Sequence, residues 1–250
     1  MLVLLTDTRL DLARSGARHG QGLFETVRMR DGAPQRLGAH LERLAAGARF
    51  LGLEPPPGTE AVLAFLAARR VGAGLALGVL RLVAVDRALY AFAQPWVPRR
   101  PRRVEVGLSR GLRRFSPSPL NRFKTMSCLE NRLLAREAAD RGLFEVLALN
   151  EAGRLTDGSR TTLFAVLGGR LVTPPAADGA LPGVARRCLL EAGLGAESAL
   201  APEDLERAEA LLLTNALWGA VPVHRGPGGR SLAAGHPLLG QAAALLQAPA

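Results

Sequence analysis

The sequence predicts an α+β protein of two domains, and three observations carry that expectation. Several stretches alternate apolar and polar residues between tight turns, as half-buried strands do, and "GLFETVRMR" at 22–30, turned by Asp31-Gly32, is the clearest. In "RLGAHLERLAAGARFLGL", Leu37, Leu41, Leu44, Ala48 and Leu51 recur at spacings of four, three, four and three, the pattern of an amphipathic helix. The loop-like "GLRRFSPSPLN" then parts the chain into two halves that each hold strands and helices. We therefore expect a small N-terminal α/β domain over 1–110, a connecting loop over 111–120 and a larger C-terminal domain over 121–250. With 250 residues, 48% of them hydrophobic, there is chain enough for one large core or two modest ones.

The elements follow in order. Alternation puts Phe24, Thr26 and Arg28 on one face of the first strand and Leu23, Glu25, Val27 and Met29 on the other. The leucine helix closes at Gly52, "PPPG" breaks the chain, and Thr59 caps a second helix running through Arg70. Strands "GVLRLVAVD" and "ALYAFAQPW" come next, nearly touching, followed by "RRVEVGLSR". Past the loop, Lys124 stands at the start of a helix that runs to Gly142, with Leu129, Leu133 and Ala138 facing inward. The second half continues with strands "EVLALN", "LTDGSRTTLFAVL" and "RLVTPP", a helix after "LPG" at 181–183 and another near "PEDLERA". Strand "EALLLTN" and the segment "ALWGAVPV" complete the order.

Composition removes some function classes. No apolar run approaches the roughly 18 residues of a membrane span, and charge interrupts the N-terminus too early for a signal peptide, so a soluble, cytoplasmic protein is expected. Cys128 and Cys188 form no CxxC, and His19, His40, His224 and His236 show no ligand spacing, so no metal site is expected. A net charge of +10 raises nucleic acid as a partner. The arginines are spread over the whole chain, however, and aromatics are 4%, too few for stacking platforms. A solvated basic surface suited to small anionic substrates is the better reading.

One residue stands out. Among 32 lysines and arginines there is a single lysine, Lys124. A guanidinium stays protonated and is a poor nucleophile, whereas an amine can be deprotonated by its surroundings and condense with a carbonyl. A survivor of a composition bias toward arginine is the plainer alternative. Three other segments are each ambiguous alone. "LPGVARRCLLE" sets Gly183 at a helix start, which favours an anion or is simply a start. "TDGSRTTLF" places Asp157 in a polar turn, and "LLLTNALWGAVPV" ends a buried strand in Thr214 and Asn215.

Taken together and in order, these segments resemble the fold-type IV family of pyridoxal-phosphate enzymes, which includes branched-chain and D-amino-acid aminotransferases and aminodeoxychorismate lyase. The motifs are "HGQGLFETVRMRDG", "HLERL", "KTMSCLENRLLAREA", "LTDGSRTTLF" and "VTPPAADGALPGVAR", spread over nearly the whole chain. The resemblance implies the two-domain fold-type IV architecture and pyridoxal 5'-phosphate as cofactor, with the second domain carrying most of its site. It implies that Lys124 binds the cofactor covalently and moves the proton at the substrate carbon. It implies Arg43 for the phosphate, joined by Gly183 and the N–H groups of Val184 and Ala185, with Asn215 and Ala216 on the other side. Asp157 takes the place of a glutamate facing the pyridine nitrogen and is one methylene shorter.

"NAL" at 215–217 and "KTMSCLEN" are nearer to the lyases than to the aminotransferases. The resemblance thus implies 4-amino-4-deoxychorismate lyase, which releases pyruvate and leaves 4-aminobenzoate for folate synthesis. An aminotransferase of branched-chain or D-amino acids is the alternative. Phe24, Thr26 and Arg28 are then expected at the substrate, Thr26 with a catalytic hydroxyl, and Arg28 with Arg87 or Arg113 for its carboxylates. Surface charge is the better reading of Arg87 and Arg113. The loop at "AVDRALYAF" is shorter than in many lyases. The family also implies a homodimer.

Overall fold

The computed structural model describes residues 2–7, 9, 13–99 and 102–247. Residues 100 and 101 of the arginine-proline cluster lie outside that set. The chain divides into two units, one running through Pro98 and including Phe123–Cys128, the other made of Arg99–Arg122 and Leu129–Ala248.

In the first unit, strands β1 (Val3–Leu5), β2 (Gly22–Arg30), β3 (Ala33–Pro34), β4 (Leu77–Val85) and β5 (Ala88–Pro95) form one sheet in the order β1-β5-β4-β2-β3. Helices α1 (Ser15–His19), α2 (Leu37–Leu51) and α3 (Thr59–Ala68) complete it. The β2–β3 turn is a two-residue loop, Asp31 at φ 49° and Gly32 at φ 76°. Both values are positive, as the right-handed strand twist requires of so short a connection, and Asp-Gly is a pair that accepts them. Helix α2 ends on Gly52 at φ 67°, as its sequence predicts, and buries Leu37, Leu41, Leu44 and Ala48. They pack on Leu23, Val27 and Met29 of β2 and on Leu80, Leu82 and Ala84 of β4. Helix α3 is shorter than expected. It starts at Thr59 with Gly58 as its cap and stops at Ala68, where Arg69 and Arg70 turn the chain.

The second unit has four layers. Strands β6 (Val106–Arg114), β7 (Glu145–Asn150) and β8 (Leu155–Gly158) make a three-stranded sheet. Strands β9 (Thr162–Leu167), β10 (Arg170–Thr173), β11 (Gly195–Glu197), β12 (Ala210–Asn215) and β13 (Gly219–Pro222) make a five-stranded one in the order β11-β10-β9-β12-β13. Helix α4 (Leu129–Asp140) packs on β7 through Leu134 and Ala138, against Val146 and Ala148. The opposite face of β7 meets the five-stranded sheet, where Leu147 packs with Leu163, Ala165, Leu211 and Leu213. The remaining face of that sheet, with Phe164, Val166 and Leu212, is covered by α5 (Val184–Glu191) and α7 (Pro237–Gln247). A sheet covered on both sides explains why "LLLTN" and "TLFAV" read as unbroken apolar runs. The short helix α6 (Pro202–Arg207) buries Leu205.

Three expectations are corrected here. Lys124 is not at a helix start, because α4 begins at Leu129 and the residue after the lysine, Thr125, bridges to Leu23 of the first unit's sheet. With that start, Leu134 rather than Leu133 faces inward, and Leu129 and Leu133 are 70% and 49% exposed. Leu134 and Ala138, four apart, form the buried stripe, and Leu133 lies about 100° round the helix from Leu134. Residues 111–114 are strand, not loop, since β6 continues past a register shift to pair Arg113 and Arg114 with Leu149 and Asn150. Gly111 and the three arginines of "RGLRR" masked the strand pattern there.

Candidate active site

Backbone pairing positions Lys124. Its carbonyl accepts from Phe24 N at 2.9 Å, and Met126 N donates to Gly22 O at 2.8 Å, so residues 124–126 add a short antiparallel rung to the edge of β2. That close approach needs Gly22. A Cβ there would lie 2.8 Å from the Ala84 carbonyl of β4 and would also collide with Met126. We expect Gly22→Ala to cost about 1–3 kcal/mol, since backbone on one side cannot yield. A urea midpoint unchanged from wild type would show that the rung tolerates the methyl.

The face of the sheet turned away from α2 carries the functional side chains. Register sets Thr26 opposite Arg81, and Phe24 opposite Val83. On β5, Phe92 lies opposite Arg81 and Tyr90 opposite Val83. These residues, without Thr26, line a cavity of about 370 Å³ whose far wall includes Met126 and Cys128 of the lysine segment. The Phe24 ring joins cavity and lysine, for Lys124 Nζ sits 4.3 Å from its centroid. Burial, the neighbouring positive charge of Arg43 and, more weakly, that of Arg81 pull the amine down to about 8, against the opposing pull of Glu25 and Cys128.

Arg43 and Glu25 form the second part of the site in this unit. Glu25, on the core face of β2, is 1% exposed. Arg43 donates to it twice, Nε to Oε1 at 2.8 Å and Nη2 to Oε2 at 2.7 Å. His40, one helical turn earlier on α2, brings Nδ1 to 2.7 Å from Oε2. Burial works to raise the Glu25 carboxyl, yet the Arg43 charge and the hydrogen bonds from His40 and Arg43 outweigh it and hold it at about 2. An ionised carboxylate only accepts, so His40 Nδ1 carries the hydrogen.

Among the expected substrate residues, Thr26 Oγ1 accepts from Arg81 Nη1 at 2.5 Å. Arg28, on the same face, has a buried Nε with no hydrogen-bond partner, and burial followed by the charges of Arg30 and Arg36 lowers its guanidinium. Arg87 is exposed in the β4–β5 turn. Arg113 lies in the other unit and donates to Asn150 O at 3.2 Å. Sequence reasoning missed Arg81, Glu25 and His40. The signals were present: a charged residue in the middle of "VLRLV", and a carboxylate on the leucine face of an alternating strand, where burial demands a partner.

In the second unit, Asp157 lies on β8, one residue before its end, and is 7% exposed. Its Oδ1 accepts from Arg114 Nε at 2.8 Å and its Oδ2 from Leu181 N at 3.1 Å. Gly183 caps α5, whose first N–H groups, on Val184 and Ala185, have no acceptor within the helix. A Cβ on Gly183 would stand 3.1 Å from Thr162 Oγ1, and Thr162 is paired in register with Thr214, whose buried Oγ1 has no partner. An open helix N-terminus beside an orphaned hydroxyl fits an anionic group such as a phosphate. The Asn215 side chain is committed elsewhere, accepting from Leu217 N and Trp218 N and donating to Arg160 O. Asn215 pairs with Gly219 at the end of β12, and Ala216 follows it in the turn to β13. Among the described residues, no group of three His, Cys, Asp or Glu could hold a metal ion, and no helix is long and apolar enough to cross a membrane.

Comparison with known proteins now bears on the geometry. Residues 22–225 match the amino-transferase class IV family. The chain is 28% identical over 239 residues to a bifunctional aminodeoxychorismate lyase / D-amino acid transaminase of Mycobacterium tuberculosis, covering 83% of this chain and 82% of that one. It is 26% identical over 221 residues to the aminodeoxychorismate lyase of Bacillus subtilis, covering 81% and 74%. In fold it is similar to a branched-chain aminotransferase of Thermoproteus uzoniensis solved with norvaline, at a TM-score of 0.85 and 24% identity over 96% of this chain and 89% of that one.

Proposed function

Because the chain belongs to the class IV aminotransferase family, a family of pyridoxal-phosphate enzymes, we propose that it uses that cofactor to eliminate pyruvate from 4-amino-4-deoxychorismate. The observation that carries this reading is the partly buried amine of Lys124 beside a cavity lined by the Arg81 guanidinium, with Arg28 farther along the same sheet face. When bound, pyridoxal phosphate supplies an aldehyde that condenses with amines and a ring that accepts electrons from the adjoining carbon.

The residues divide the remaining work. In the first unit Lys124 would hold the cofactor, and Arg43 would contribute to binding its phosphate. In the second, the α5 N-terminus at Gly183, Val184 and Ala185, with backbone at Asn215 and Ala216, would suit a phosphate. Asp157 keeps one accepting lone pair on each oxygen beyond its bonds to Arg114 and Leu181, enough for the pyridine nitrogen. With its ordinary value lowered to about 8, Lys124 Nζ is neutral often enough near pH 7 to take a proton from the substrate carbon and protonated often enough to return one. Arg81 and Arg28 would bind the two substrate carboxylates, and Thr26, whose hydroxyl accepts from Arg81, fixes the first of them and leaves its own proton free to donate. Phe24 and Phe92 close the cavity with apolar walls that strengthen those charge contacts.

A second reading, aminotransferase action on branched-chain or D-amino acids, is favoured by the same apolar walls, which would accept an aliphatic side chain. The test is the absorption spectrum with added pyridoxal phosphate, borohydride reduction and peptide mapping to Lys124. Pyruvate release from aminodeoxychorismate, against keto-acid formation from amino acids, then separates the two reactions. We expect Arg81→Gln to lower kcat/KM about a hundredfold, mostly through KM, because a desolvated charge-assisted contact is lost. An unchanged KM would remove Arg81 from the substrate. The enzyme is taken to work as a homodimer in the cytoplasm, and the exposed Leu129 and Leu133 of α4 are candidates for the subunit contact. Sedimentation equilibrium of wild type and Leu129→Asp tests this.

A further inference from the structure

Glu25 and His40 have no role in the chemistry above, yet they are among the most deeply buried polar groups of the first unit, at 1% each. Burying a carboxylate in a leucine core is expensive unless its oxygens are fully engaged. Here the engagement is lopsided in a telling way. His40 approaches one oxygen, Arg43 binds both, and the Arg43 side chain is the part of the cluster that reaches toward solvent, at 12% exposed. The strand backbone ties this cluster to the lysine, since Phe24, next to Glu25, accepts the Lys124 cation on its ring and donates its N–H to the Lys124 carbonyl.

We propose that Glu25, anchored by His40, is a positioning residue of the Lys124 site, holding the Arg43 guanidinium in one place beside the amine and supplying the negative charge that balances it. The charges of Arg43 on α2 and, more weakly, Arg81 on β4 disfavour a proton on Lys124, while Glu25 on β2 and Cys128 on its own segment favour it. Remove Glu25 and the amine loses that attraction while the repulsion of Arg43 remains. Remove Arg43 and it keeps the attraction of Glu25 alone. The two substitutions should therefore move Lys124 in opposite directions, which a purely structural cluster would not do. This inference rests on Lys124 being the reactive amine.

The single lysine makes a direct measurement available. Protein grown with lysine labelled with carbon-13 at the ε position shows one side-chain resonance, whose shift follows the charge on Nζ in the cofactor-free protein. The wild-type midpoint is expected near 8. In Glu25→Gln it should fall, and in Arg43→Gln rise, each by about one unit as for a charge removed from the near neighbourhood. A Glu25→Gln protein with native near-ultraviolet circular dichroism and an unchanged midpoint overturns the proposal. Should Glu25→Gln not fold, Arg43→Gln decides alone: a rise supports the proposal, and a static or falling midpoint overturns it. Failure of the functional reading would appear separately, as absence of a reduced cofactor adduct on Lys124, and would leave this titration interpretable.

Discussion

Replacing Lys124 by arginine is expected to abolish borohydride-fixed pyridoxal phosphate and to lower turnover about a thousandfold or more, while leaving the protein folded. The fold should survive because arginine keeps the cation over the Phe24 ring and the backbone rung to β2 is untouched. The activity should not, because a guanidinium neither condenses with an aldehyde nor gives up a proton, and the loss of a general base alone is worth about 10²–10⁴-fold. A pH dependence accompanies this. The amine value is lowered, so the neutral, reactive form gains as pH rises toward about 8, and the rate at which cofactor-free protein captures pyridoxal phosphate should climb over that window and then level. A Lys124→Arg protein with wild-type spectrum and rate would return the lone lysine to an accident of composition.

The largest loss of stability is expected from Arg114→Met. Arg114 and Asp157 are 6% and 7% exposed, and the guanidinium binds three elements together. Nε meets Asp157 on β8, Nη2 donates to Asn131 on α4 at 2.8 Å, and the strand that carries Arg114 pairs with β7. Removing it strands a buried carboxylate with one backbone N–H, from Leu181, for company. Breaking a buried pair from one side costs about 3–5 kcal/mol, far above the value of an exposed one. Urea unfolding followed by Trp218 fluorescence, in a Trp96→Phe background, reads the second unit alone. The double variant Arg114→Met with Asp157→Leu should recover part of the loss, since neither charge is then buried unpaired. If the single variant costs no more than about 1 kcal/mol, the pair behaves as a surface one and Asp157 is held by other means.

How much of this was legible in the sequence differs by element. The β2 strand and its Asp-Gly turn, and helix α2 with its Gly52 end, were readable because period and turn chemistry are local. The start of α4 was not, because nothing local in "KTMSCLEN" tells a helix from a segment that pairs with a distant strand edge. The short strands β1 and β11 and helix α7 escaped notice for a similar reason. The two strands are three residues long and exist through their partners β5 and β10, and α7 is weakly amphipathic and exists through its packing on α5 and β13.

The site divides the same way. By itself the sequence determined which chemistry is available: one amine in a chain of arginines, in a run of motifs with a fixed order. It also determined that Phe24, Thr26 and Arg28 share a face, because strand alternation is geometric. Only the tertiary structure decided that Arg81 stands opposite Thr26, that His40 and Arg43 close on Glu25, and that Arg114 meets Asp157. These contacts join residues 15 to 55 positions apart in the chain. A charge can be read from its letter, but its partner is set by strand register and helix packing, and the partner decides whether that charge is stable, shifted or reactive.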